Sequence, residues 1–207
     1  MTVTGPDVSH PLDPASLRRA FSMFPSGVTA VCALRDGAPV GMAASTFTSV
    51  SLDPPLASIC IAQTSTTWPV LRSAARVGVS VLGAGHRDVI RQLAARDGDR
   101  FKGLTYHAEG EAILLDGATM WAVCSIEHEV PAGDHHIAVL RVHATDPHTE
   151  IRPLVFHGSR FHELGNCWHC SSPPGFSLAH LGSARAAELD RNSIAGSFEL
   201  LFDFDQY

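Results

Sequence analysis

The sequence has no run of lysine or arginine, and its 207 residues carry a formal net charge of −6 at pH 7. With a pI near 6.0, it lacks the electrostatic footprint with which proteins hold nucleic acid. No apolar stretch approaches the ~18 residues that a membrane span needs. The opening MTVTGPDVSHPLDP has neither the basic start nor the apolar run of a signal peptide, so the expected location is the cytoplasm. Gly-x-Gly-x-x-Gly is missing, and with it any indication of a Rossmann nucleotide domain. Cysteine is sparse and odd in number, which argues against a disulfide framework. Cys32, Cys60 and Cys124 sit in apolar runs and read as reduced core thiols. Cys167-Trp168-His169-Cys170 has no second C-x-x-C after it. It is half of a metal site completed by His157, His162 or His180, a redox pair, or two incidental cysteines; the expectation adopted is no metal.

What is present suits one globular domain: 45% of residues are apolar, enough for a sizeable core. Residues 1–13 read as a loose arm, residues 14–164 as the folded domain, and residues 165–207 as a C-terminal extension of unknown role with a short helix near 178–189. Asp13 is placed to cap a helix from Pro14 to about Met23, with Leu17, Ala20, Phe21 and Phe24 at helical spacing. Val28–Leu34 is a β-rich run, Asp36-Gly37 signals a hairpin turn, and Ala38–Ser51 continues extended. Leu56–Ala62 reads as a buried strand, Pro69–Ala74 as a helix, Arg76–Gly83 as a strand, and Arg87–Ala95 as a helix. Met120–His128, Ile137–Thr145 and Leu154–His157 complete a mainly β protein with a few helices, a barrel or a sandwich.

Four stretches carry candidate chemistry. Gly41–Pro55, GMAASTFTSVSLDPP, combines small residues with hydroxyls, so backbone amides can approach a flat polar ligand closely; it is equally compatible with an ordinary Ser/Thr-rich strand. Thr64-Ser65-Thr66-Thr67 precedes Trp68-Pro69, where hydroxyls and unpaired amides at a helix start suit an anion; the same residues suit plain capping by Thr66 or Thr67. Arg100 offers a planar fork to a phosphate or a partner to Asp97 or Asp99, and Phe101 a ring cover. In Gly133-Asp134-His135-His136, a carboxylate beside a loop histidine can orient the imidazole.

These pieces, with Phe24-Pro25-Ser26-Gly27-Val28 before them, occur in the order of the flavin reductase-like family, which the sequence resembles from about Leu17 to Leu164. The resemblance implies an FMN-binding split β-barrel. The function it implies is an NAD(P)H:flavin oxidoreductase that passes hydride from NADH or NADPH to FAD or FMN and supplies reduced flavin to a partner monooxygenase. It further implies a homodimer with the flavin near the subunit boundary. By the same resemblance the flavin lies along Met42, Ala43, Ala44, Ser45, Thr46, Ser49 and Ser51. Its phosphate end meets Ser65, Thr66 and Thr67, with Arg100 and Phe101 close by. His135 sits at the active site against the nicotinamide, and Arg160 and Phe161 are nucleotide contacts; His157 stands where the family usually has an aromatic. Two other readings remain open at this level: a self-contained flavoprotein oxidoreductase or oxygenase that retains its flavin, and a flavin- or haem-binding module without turnover.

Overall fold

The computed structural model describes residues 12–164; the arm before residue 12, the Cys167–Cys170 pair and the expected helix near 178–189 lie outside the described residues. Helix α1 (Pro14–Phe21) starts where Asp13 accepts the Ser16 N–H at 2.9 Å and the Ser16 hydroxyl at 2.6 Å. It stops two residues earlier than expected and buries none of its residues. Phe21 and Phe24, two of the residues at helical spacing, stand 59% and 76% exposed, and Met23 between them 61%.

After a two-residue strand β1 (Ser26–Gly27), strand β2 (Thr29–Arg35) enters the centre of the molecule. Side chains alternate across a strand, and here both sides are covered. Val31 and Ala33 join a cluster with Ile59, Ile61, Leu71, Val77, Val79 and Leu140, whereas Ala30 and Cys32 join Leu82, Ile90, Leu93, Ile113, Leu115 and Leu154. This explains a continuous apolar run in place of an alternating one. Asp36 and Gly37, both at positive φ, turn the chain into β3 (Ala38–Ala44), which pairs with β2 along its whole length. The extended stretch expected to reach Ser51 unbroken is instead interrupted at residues 45–47. Beyond them β4 (Thr48–Leu52) leaves β2 and pairs with β5 (Pro55–Ala62).

The expected helix after the Thr-rich segment is one turn only, α2 (Trp68–Leu71). Strand β6 (Val77–Val81) and a 3₁₀ turn (Ala84–His86) lead into α3 (Arg87–Ala94), which buries Ile90 and Leu93. A hairpin that the sequence reading left unassigned follows, β7 (Tyr106–Glu109) and β8 (Ala112–Leu115). Two long strands, β9 (Met120–Ala132) and β10 (His135–Pro147), extend past the ranges expected for them and join through Gly133-Asp134. β11 (Leu154–His157) and β12 (Arg160–Glu163) form a small sheet with β1.

Among the described residues the large sheet runs β4-β5-β10-β9-β6-β2-β8-β7, with β3 attached to β2. Among the described residues the barrel does not close: no described strand pairs with the far edge of β3, and the chain crosses from it to β4 through Ser45–Phe47. At that crossing the Thr46 hydroxyl accepts the Cys60 N–H at 2.9 Å and donates to Cys60 O at 3.2 Å, a side chain doing for β5 what a neighbouring strand would.

Candidate functional site

The open edge of β3 is the centre of the candidate site. Ala44 O accepts the Thr29 hydroxyl from the β2 side at 2.9 Å, whereas Gly41 O accepts Arg100 Nη1 from the other side at 3.4 Å. Since successive peptide groups alternate in direction along a strand, the amides of Gly41 and Ala43 face the open edge and those of Met42 and Ala44 face β2. The side chains alternate as well: Met42 packs on the β5 side of the core and Ala43 on the α3 side. What the two share toward one ligand is the backbone between them. Gly41 is required by the floor beneath this edge. A Cβ there would lie 2.5 Å from Cys32 Sγ and 2.8 Å from Phe101 Cζ.

Phe101 is that floor. Only 7% exposed, it packs edge-on to Tyr106 at 5.8 Å and belongs to the core, so it supports the Gly41 backbone and presents little ring face to a ligand. Its neighbour turns the other way. Arg100 Nη1 donates to Thr67 Oγ1 at 2.7 Å as well as to Gly41 O, and joins the Thr-rich segment to β3. Neither Asp97 nor Asp99 takes this guanidinium; the Asp99 carboxylate accepts the Phe101 N–H at 2.9 Å. Among the described residues Arg100 Nη2 and Nε make no bond, which leaves two donor positions on a guanidinium already held in place.

Capping of α2 departs from expectation. Thr67 stands at the N-cap of α2 as expected but its side chain, bound to Arg100, makes no capping bond; Ser65 supplies it instead, its Oγ accepting the Trp68 N–H at 3.2 Å, and Ser65 is buried while Thr66 is exposed. On the other side of α2, Trp68 Nε1 donates to Glu129 Oε1 at 3.1 Å and Arg72 pairs with Glu129 at 3.4 Å, which fastens the segment to β9.

The β9–β10 turn is joined to the same segment. Gln63 donates its backbone N–H to Asp134 O at 3.0 Å and its side-chain amide to Gly133 O at 2.9 Å. Gly133 has φ +66°, the positive angle at the first central position that a two-residue hairpin turn of this kind takes from glycine. His135 begins β10 opposite Ala62. Its Nδ1 lies 2.7 Å from Asp134 Oδ1, and since a carboxylate only accepts, Nδ1 carries the proton and Nε2 is the acceptor in the neutral ring. That bond, and then the charge of the imidazolium, hold the Asp134 carboxyl below its usual range.

Of the candidate residues, the structure links Gly41–Ala44, Ser65–Thr67 and Arg100 directly, and brings the His135 turn to them through Gln63. Thr46 is committed to Cys60. Ser49 and Ser51 lie on β4, flanking a bulge against β5. Arg160 and Phe161 lie in the small sheet, where Phe161 packs beside Phe156 and its carbonyl accepts Arg87 at 3.3 Å. Gln63 escaped the sequence reading because its partner is 70 residues away; only its place at the head of the Thr-rich run hinted at it.

A split β-barrel with an unpaired strand edge, an anchored guanidinium and an oriented histidine is an arrangement that could hold a nucleotide-type cofactor. The model of the flavin reductase like domain matches residues 21–165, and the chain belongs to that family. It is 37% identical over 175 residues to the actinorhodin polyketide dimerase of Streptomyces coelicolor, covering 82% of this chain and 98% of that one. A solved NADH:FAD oxidoreductase of Streptomyces globisporus, in complex with NAD and FAD fragments, superposes with a TM-score of 0.71 at 33% identity, covering 77% of this chain and 99% of the other. The flavin reductase component of a bacterial two-component tryptophan halogenase gives a TM-score of 0.67 at 37% identity, covering 73% and 98%. A flavin suits the donor set here: outward amides at Gly41 and Ala43 match the acceptors of its polar ring edge, and Arg100 with the Thr-rich segment matches a phosphate.

Proposed function

We propose that this protein is an NAD(P)H:flavin oxidoreductase that delivers reduced flavin to a separate oxygenase. The observation that carries the reading is the junction at Arg100, where the open β3 edge and the Thr67 segment meet while Gln63 holds the His135 turn to the same segment. The flavin and the nicotinamide supply the redox chemistry, a hydride passing from nicotinamide C4 to flavin N5. The protein's task is placement. The stretch Met42, Ala43, Ala44 and Ser45 runs along the ring system, and the amides turned outward at Gly41 and Ala43 stabilise negative charge there without reorganising. Ser65, Thr66, Thr67 and Arg100 receive the phosphate. His135, aligned by Asp134, contacts the nicotinamide nucleotide through the ring edge that carries Nε2. Arg160 and Phe161 extend the nucleotide surface, and Ser49 and Ser51 border it from β4. Positioning alone can supply several kcal/mol of barrier reduction, so no nucleophile is required.

The working unit is a homodimer. Support comes from the exposed Phe21 at the end of α1 with Met23 and Phe24 just past it, and from Val50 and Leu52 on the β4 edge, 53% and 93% exposed. The three described cysteines, all free thiols, suit the cytoplasm. The test is nicotinamide oxidation by purified protein with NADH or NADPH crossed against FMN or FAD. Saturable turnover that depends on added flavin is expected. No turnover in any combination overturns the reductase reading, and full turnover without added flavin overturns the exchangeable-flavin part of it.

A further inference from the structure

We infer that Gln63 is a positioning residue that sets the His135 turn against the flavin-side segment. This rests on the reductase reading above. Gln63 is the first residue after β5 and spends both of its donors on one turn: backbone to Asp134 O and side chain to Gly133 O. An exposed glutamine loses rotamer freedom when it is held this way, and the bond falls on the glycine whose positive φ shapes the turn. Immediately downstream, Ser65 caps α2, Thr67 receives Arg100, and Trp68 reaches Glu129 on β9. Residues 63–68 are thus a strut. One end holds the ligand side through Arg100 and Gly41; the other holds Asp134, which orients His135. Trp68–Glu129 fixes the body of the β9–β10 hairpin, and Gln63 ties its tip to the strut beside the ladder pairing of His135 with Ala62. Without its side-chain bond the turn keeps the Gln63 backbone contact and the His135–Ala62 pairing but loses its tie at Gly133, which loosens the Gly133-Asp134 tip and with it the carboxylate that aligns the His135 imidazole.

The experiment uses the full-length chain as wild type and as Gln63→Ala, Gln63→Glu and Gln63→Lys, with steady-state kinetics in reduced nicotinamide, flavin titration, thermal unfolding, and amide hydrogen exchange at residues 133–135. Gln63→Ala is expected to raise KM for the nicotinamide roughly three- to tenfold, the scale of one lost hydrogen bond. Flavin affinity and Tm stay at wild-type values, and exchange in the turn accelerates. Gln63→Glu, which sets a carboxylate against the Gly133 carbonyl, is expected to be at least as impaired. Gln63→Lys restores a donor and recovers most of the KM. An unchanged KM in Gln63→Ala, a KM rise matched by equal loss of flavin affinity, or no recovery in Gln63→Lys overturns the inference. An inactive wild type overturns the reductase reading instead; the exchange data then decide the strut separately, since unaltered protection in Gln63→Ala removes it and faster exchange in the turn upholds it.

Discussion

Gly41→Ala is the most direct probe of the floor beneath the β3 edge. The added Cβ would stand 2.5 Å from Cys32 Sγ and 2.8 Å from Phe101 Cζ, against the ~3.5–4.0 Å of ordinary carbon contacts. Neither neighbour can retreat cheaply: Cys32 is fully buried, and the Phe101 ring is held edge-on by Tyr106. Overpacking of this kind costs ~1–3 kcal/mol, offset by the ~0.4–1 kcal/mol that losing a glycine removes from the unfolded chain's entropy. The net expectation is a loss of about 1–2 kcal/mol, read as a lower urea midpoint at constant slope. Flavin affinity should fall in the same variant, because the shift forced on Phe101 is passed to Arg100 next to it and so to Thr67. Combining Gly41→Ala with Phe101→Leu, which shortens the blocking ring, should recover at least ~0.5 kcal/mol relative to the sum of the single changes. Strict additivity of the pair, or stability within ~0.5 kcal/mol of wild type for Gly41→Ala, would refute the close approach.

Removing the guanidinium in Arg100→Ala should weaken flavin binding by ~1.5–3 kcal/mol, the scale of a charged hydrogen bond, in equilibrium titration; an unchanged dissociation constant would leave Arg100 a purely internal tie. Thr46→Val orphans the Cys60 N–H and should destabilise by ~1–3 kcal/mol, whereas Thr46→Ser should stay near wild type in the same denaturation series. His135→Ala should raise KM for the reduced nicotinamide with little change in flavin affinity, and an equal loss of both would contradict its placement. His143 is held below the ordinary imidazole value of 6.5, first by lost hydration and then by the positive charges of Arg76 and Arg141. On acidification the unfolded chain therefore takes the proton first, and stability should fall as pH drops below ~6.5. His143→Gln should flatten that slope in pH-dependent thermal melts.

Legibility in the sequence followed the range of the interactions. Asp13 capping α1, the Asp36-Gly37 turn and the buried run of β2 depend on neighbours within a few residues, and local chemistry states them openly. The break at residues 45–47 was hidden because Ser45-Thr46-Phe47 contains neither glycine nor proline to mark it. What divides it is the loss of β2 as a partner and the gain of β5, a tertiary event with no local mark. α2 was read too long for the opposite reason: Pro69 favours a helix start, but Leu71 and Ala74 are claimed by the core and the chain turns into β6. The β7–β8 hairpin escaped because Ala112–Leu115 is buried without alternation, a pattern that does not separate strand from helix over four residues. At the site, residue types were legible and directions were not. Phe101 looks like a ring cover and lies underneath; Arg100 looks like a partner for the aspartates beside it and reaches across to Thr67.

The split in the barrel and the proposed site are one feature. A further ladder pairing with β3 would close the sheet and consume the amides of Gly41 and Ala43, the two that alternation turns outward. Three side chains keep the gap open without leaving its rims unsatisfied: Thr46 satisfies the Cys60 peptide on the β5 side, Thr29 adds a bond to Ala44 O on the β2 side, and Arg100 takes the Gly41 carbonyl. Among these, Arg100 takes one acceptor of the edge, the Gly41 carbonyl, and leaves the outward N–H donors of Gly41 and Ala43 alone. Donors held in place in this way become more favourable to a bound ring as negative charge builds on it, so on the reading proposed above the gap suits the reduced, more electron-rich state of the flavin.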